Sequence, residues 1–232
     1  MRFMTTCGLA AVLLIAGVAP SRADLVTGNI AVYTGATLDG YVSDTYDGQN
    51  SFTFTSNVAS ALNVQINTAA SSPFALLALN PPGSNPDVGA VGGSGGFYMA
   101  PGNVGYAYLS DTSLTPAGST PSSSATDDIQ SLGYNAPSES SIWSLTGNVL
   151  TAHWVNADGS TNPTQTFYDP AVDFLGLVGD LTAFNAQYGE GAEAVTLVFT
   201  GALPSVTTPE PASLALLGVG LAGLGALRRR KA

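Results

Sequence analysis

Two short stretches decide the fold. Ser51-Phe52-Thr53-Phe54-Thr55 alternates polar and apolar residues strictly, and Ala61-Leu62-Asn63-Val64-Gln65-Ile66-Asn67 repeats the pattern with Leu62, Val64 and Ile66 on one face. A period of two, carried by aromatic and β-branched residues, is the mark of a half-buried strand. Further β-rich runs follow at Val104–Leu109, Val149–Val155, Gln165–Tyr168 and Val195–Thr200, and Phe74–Leu79 is continuously apolar, as a strand buried on both faces would be. Between them lie turn clusters such as Asn80-Pro81-Pro82-Gly83, Gly92-Gly93-Ser94-Gly95-Gly96 and Asn156-Ala157-Asp158-Gly159. Many short strands with this punctuation predict an all-β body, an antiparallel β-sandwich or jelly roll. Only Asp180–Gly189 reads as a helix: Asp180 can cap it, Leu181, Phe184 and Tyr188 share a face, and Gly189 can end it.

Composition narrows the function. Charged residues make up 9% of the 232, against roughly a quarter in an average soluble protein. The six basic residues are Arg2, Arg22, Arg228, Arg229, Arg230 and Lys231, so no Lys or Arg lies between Asp24 and Pro209, while every acidic residue except Glu210 does. A body without cations is a poor partner for nucleic acid, phosphate or an anionic membrane surface. It also lacks a lysine for Schiff-base chemistry. Trypsin, which needs Lys or Arg, is expected to leave the mature body intact even after heat denaturation. Specific internal fragments on a gel would place its boundaries elsewhere.

Both ends read as addresses. Arg2 precedes an apolar run from Cys7 to Val18, and Ser21-Arg22-Ala23 puts small residues at −3 and −1 before Asp24. That is the pattern of a cleaved signal peptide over residues 1–23, cut between Ala23 and Asp24. Cys7 leaves with it, so the mature chain has no thiol and no disulfide. The Gly/Ser/Thr-rich β domain then spans 24–203, followed by a linker over 204–211. Residues 212–227 would form a helix about 24 Å long, short of the roughly 30 Å hydrocarbon core but able to span it if the bilayer thins and the arginines snorkel. The basic tail 228–232 predicts a cytoplasmic C-terminus and an exported body.

Pro209-Glu210-Pro211, then a Gly/Ala/Leu-rich apolar segment, then Arg228-Arg229-Arg230 resembles the PEP-CTERM sorting signal of Gram-negative bacteria, also catalogued as an ice-binding protein C-terminal motif. The resemblance covers about 25 residues and departs from the pattern only at Thr208, where Val often stands. It implies recognition by a membrane-embedded, cysteine transpeptidase-like exosortase. It also implies transient anchoring in the inner membrane, then delivery to the cell surface or beyond. Carriers typically come from genomes that make exopolysaccharide or biofilm matrix, so matrix components are implied partners. The body itself is assigned to no family by its residues.

Candidate chemistry within the body is thin. Gly92–Gly96 matches the letters of a nucleophile elbow, but Phe97-Tyr98-Met99-Ala100-Pro101 follows where the elbow needs a helix. His153 is the single histidine, and alternation through Leu150–Val155 puts it on the sheet surface opposite Trp154. Trp143 and Trp154 could stack on sugar rings, although Trp154 shares the apolar face and reads as core. Glu139, Glu190 and Glu193 could pair as glycosidase carboxylates, but nothing in their spacing selects a pair, and solvated loop charge is the simpler reading. The best cofactor candidate is calcium, held by Asp39, Asp44 and Asp47, with Asp127-Asp128 as a further pair. Against it stands a general excess of carboxylates. Asp158-x-Ser160-x-Asn162 with Asp169 faintly resembles an EF-hand loop, but Pro163 replaces its Gly and 156–159 reads as a hairpin turn. Thr112–Thr126, nearly all Ser, Thr, Pro, Gly and Ala, reads as an extended loop and a possible O-glycan carrier. The expectation is an exported, non-enzymatic envelope or matrix protein without a required cofactor; the rivals are a calcium- or carbohydrate-binding adhesion module and a secreted hydrolase.

Overall fold

A computed structural model describes residues 24–129, 136–189 and 191–203. The expected signal peptide (1–23), linker and sorting motif (204–211), apolar segment (212–227), basic tail (228–232) and Glu190 lie outside the described residues. Among the described residues no helix is long and apolar enough to cross a membrane.

The chain begins with β1 (Leu25–Thr34), β2 (Thr37–Tyr46), β3 (Phe52–Thr55), β4 (Asn63–Asn67) and β5 (Leu76–Ala78). It continues through β6 (Asp87–Gly92), β7 (Tyr106–Thr112), β8 (Ser138–Glu139), β9 (Trp143–Thr146) and β10 (Val149–Ala152). β11 (Gln165–Asp169) and β12 (Phe174–Val178) precede α1 (Leu181–Tyr188), and β13 (Glu193–Ala194) and β14 (Thr196–Phe199) complete the order. All strand pairings are antiparallel. The β-rich body with one short helix is therefore as its sequence predicts.

The strands make one connected, curled sheet, because β1 serves two halves. Its first half pairs β4, from Leu25↔Asn67 to Asn29↔Asn63. Its second half lies between β14, paired from Ile30↔Phe199 to Tyr33↔Thr196, and β2. From β4 the sheet runs through β5, β6, β7, β12, β11 and β13; from β14 it runs through β10 to β9. The register of β1 against β2 shifts between Val32 and Tyr33, the kind of bulge that bends a strand and increases its twist. The curl brings β3 against β12 and β7. Gly28 sits where β1 changes partners, and any Cβ there would run into the backbone of Gly201. The β1–β2 hairpin turns on Gly35 and Ala36, with Gly35 at φ +59°, a left-handed position that glycine takes without strain.

Most buried side chains form one core between the halves. Val32, Phe52, Leu62, Val64, Leu76, Trp143, Trp154, Leu175, Leu177 and Phe199 are sealed from solvent there. Leu62, Val64 and Ile66 share the buried face of β4 as their alternation predicts. Phe74–Leu79 corrects the expectation of a strand buried on both sides. Only Leu76–Ala78 is strand, and while Leu76 and Ala78 are buried, Leu77 and Leu79 are exposed. A short sheet strand with one face to solvent can carry apolar residues outward at little cost, so continuous apolarity overstated its burial.

A second, aromatic cluster lies under α1. Phe184 packs on Phe167 and Tyr106, and Tyr106 meets Tyr108 edge to face at 5.3 Å between ring centres. The helix starts where expected: the Asp180 carboxylate accepts from Ala183 N at 3.0 Å and from Gly102 N at 2.8 Å. It ends at Gly189, whose φ is +72° and whose N–H donates to Asn185 O. The Ser/Thr-rich stretch after Thr112 is a loop as expected, yet it is pinned. Thr115 N donates to Ser140 Oγ at 2.7 Å, and Ser141 Oγ donates to Thr115 O at 2.6 Å.

Candidate functional site

Ser94 lies in the exposed turn after β6, where Gly96 N donates to Gly93 O. No helix follows it, so the strained strand-to-helix turn of a hydrolase nucleophile is not built. His153 is exposed beyond β10, on the surface its alternation predicts. Its Nε2 lies 2.6 Å from Ser144 Oγ on the neighbouring β9, a contact that sequence spacing could not reveal because it depends on the β9–β10 register. Among the described residues no carboxylate bonds the other ring nitrogen, so nothing orients the ring as a triad does. The histidine also lines a surface groove of about 300 Å³ with Thr151, Thr161, Asn162 and Thr164. Ala152 and Pro163 complete its walls, and no charged carboxylate or ammonium group lines it.

Both tryptophans point inward. Trp154 is fully buried, and so is Trp143, which donates its indole N–H to Val88 O at 2.7 Å. Neither ring is a platform for a sugar.

The three calcium candidates lie on β2 and in the turn that follows it. Among the described residues no group of three or more His, Cys, Asp or Glu side chains could hold a metal ion, so Asp39, Asp44 and Asp47 do not converge. Asp47 uses both oxygens on its own turn, accepting from Gln49 N, Ser51 N and Ser51 Oγ. Asp44 accepts a long 3.5 Å bond from Asn80, and Asp39 lies on β2. The EF-hand likeness dissolves in the same way. Residues 156–159 make a turn closed by the bridge Val155↔Thr161, Asp158 accepts from Ser160, and Asp169 is buried on β11.

Glu139, expected as solvated loop charge, is in fact interior, and Asp111 is interior as well. Glu139 is 2% exposed on β8, where Oε2 accepts from Val155 N at 3.2 Å and Oε1 has no partner. Burial pushes its carboxyl up to about 8. Asp111 on β7 is fully buried, and burial raises it to about 7 against the opposing bonds from Tyr46 and Gly83. Glu193, in contrast, is exposed on the edge strand β13, far from forming a buried acid pair with Glu139. No sequence pattern marks Glu139 or Asp111 directly. The one usable signal is the absence of any cation to pair with them.

The described body ends with Leu203 half-buried against the main core. Residues 204–208 are all that separate it from Pro209, a reach of about 20 Å when extended. Residues 207–231 match the PEP-CTERM protein-sorting motif. The Pro-Glu-Pro triplet, the apolar segment and the arginines Arg228–Arg230 all fall inside that match. No curated protein and no solved structure matches the chain. The PEP-CTERM motif is recognised by exosortase, and it marks an exported protein processed at the membrane. In this chain the motif follows the packed body so closely that an enzyme reaching Pro209 works within a short tether's length of the sheet.

Proposed function

We propose that the body is a non-enzymatic structural component of the cell envelope or extracellular matrix, delivered by exosortase-type processing of its C-terminus. The observation that carries this reading is the PEP-CTERM match at 207–231. It is supported by the isolation of Ser94 from any helix, by a histidine without an orienting carboxylate, and by tryptophans turned into the core. In this reading the curled sheet is a two-layer, jelly-roll-like body that needs no cofactor. Residues 212–227 cross the inner membrane until processing, and the released product settles at the cell surface, among exopolysaccharide or other matrix proteins.

Intact-mass analysis of protein from its native host tests the proposal. The product should begin at Asp24 and lack the apolar helix and Arg228–Lys231. In a host without exosortase the chain should stay membrane-bound and keep them, because moving those cations across the bilayer is strongly disfavoured. A native product retaining Leu214–Ala232 would reduce the C-terminus to a plain anchor. The non-enzymatic part is tested separately by Ser94→Ala and His153→Ala, which should leave any activity of the body unchanged.

A further inference from the structure

The hydrogens around Tyr46 do not add up if every carboxyl is ionised. Tyr46 Oη lies 2.7 Å from Asp111 Oδ2 and 2.8 Å from Asp128 Oδ2. A phenol carries one hydrogen, so two ionised carboxylates would leave one of these short oxygen–oxygen contacts without a proton. Such a contact between an anionic oxygen and a lone pair is repulsive. Among the described residues, the neighbours supply no positive charge. Tyr46 ends β2, Asp111 is on β7, Asp87 faces it from β6, and Asp127 and Asp128 follow the pinned loop. All are acidic, there is no Lys or Arg from 24 to 209, and His153 lines a groove to which none of these residues contributes.

We propose that Tyr46, Asp111 and Asp128 form a proton-shared clasp, in which neutral Asp111 donates to the Tyr46 oxygen and the Tyr46 hydroxyl donates to ionised Asp128. Each short contact then contains one hydrogen. Asp111 is the proton's holder because it is fully buried, its Oδ1 has no partner, and Asp87 stands beside it. Asp128 is the anion because it is half-exposed and Ser84 donates to it from both N and Oγ, at 3.2 and 3.1 Å. Gly83 N adds a bond to Asp111 Oδ2 at 3.1 Å. The clasp thus fastens the turn 81–84 to β2 and β7. When Asp111 gives its proton to solvent, two anions face one hydroxyl, and the turn loses its hold. The clasp is a pH-sensitive fastening: closed in acid, open in alkali. Burial that lifts Asp111 to about 7 places the change near neutrality.

Two measurements on the full-length chain test the clasp. Infrared spectra should show the carbonyl band of buried, protonated carboxylic acid at pH 6, with one component lost in Asp111→Asn and another, from Glu139, lost in Glu139→Gln. Hydrogen exchange of the segment 79–86, corrected for intrinsic rate, should accelerate by up to about tenfold per pH unit as pH rises towards about 7 and level off above it, as opening linked to release of one proton requires. Asp111→Asn should abolish that dependence and Glu139→Gln should keep it. Tyr46→Phe, which removes the bridging hydroxyl, serves if Asp111→Asn does not fold, and it too should abolish the step. A wild-type spectrum without an acid band assignable to Asp111 would overturn the proposal. So would corrected exchange that is equal at pH 6 and pH 8, or a pH step surviving in the variants.

Discussion

Replacing Trp143 by alanine should lower the free energy of unfolding by about 3–5 kcal/mol, the range for removing a fully buried tryptophan. The indole is sealed from solvent and lies on β9 at one end of the sheet path, yet it reaches Val88 on β6 in the other half with a 2.7 Å hydrogen bond. Its backbone is also tied to Phe74 by reciprocal bonds of 2.8 and 3.0 Å. The side chain therefore stitches the two halves of the sheet together, and its loss opens a cavity between them. Phenylalanine separates the contributions. Trp143→Phe keeps an aromatic ring but removes the hydrogen bond to the Val88 carbonyl, an added cost of about 1 kcal/mol. Trp154 is equally buried, but its indole N–H has no partner, so Trp154→Phe removes an unsatisfied donor and should cost less. Urea unfolding of the variants checks the order; equal costs for the two Phe substitutions would refute the role given to the Val88 bond.

A second large effect should appear as pH rises. The folded-state value of Glu139 is about 8, above its ordinary 4.5. Its contribution to stability is therefore complete below about 4.5 and is lost as pH climbs through about 8, to a limit of ~5 kcal/mol. Asp111, raised to about 7, acts in the same direction. The body should thus be more stable at pH 5 than at pH 9, the reverse of proteins whose carboxylates are salt-bridged. Glu139→Gln keeps the shape and an acceptor for Val155 N while removing the ionisation. It should flatten the upper part of the curve and leave the variant more stable than wild type at pH 9. Denaturant midpoints across this range provide the measurement. A wild-type curve rising with pH would contradict the burial argument.

The reading of sequence succeeded where local chemistry decides the structure. Alternation at Leu62, Val64 and Ile66 assigned a buried face because sheet side chains must alternate, and Asp180 and Gly189 bounded α1 because caps act within a turn. It failed where distant strands decide. Phe74–Leu79 has a buried and an exposed side only because β5 lies in a sheet with one face to water. Glu139 sits in no alternating run, and β8 is two residues long, so its burial comes from β6 and from Val155. The burial of Trp143 is hidden for the same reason: its environment is built by Phe74 and Val88. The triplet at 209–211 with its flanking segments was legible because a processing enzyme reads it linearly. The proton clasp was not, since Tyr46, Asp111 and Asp128 meet only after three separate segments have come together.

The adjacency of β1 and β14 sets the order in which an exported chain can finish. The strand nearest the N-terminus of the body takes the last strand as its neighbour, with Ile30 opposite Phe199. A chain threaded through a translocon N-terminus first must therefore present β1 with one flank bare until residues 196–199 emerge. That flank includes Val32 and Ile30, both buried in the finished protein. An unpaired strand edge of this kind invites pairing with another chain, and closing a loop across almost the whole body is slow. The interval between the first strand's arrival and the last is when the protein is most exposed to aggregation. A pause at the membrane after β14 has crossed would let the sheet close before release.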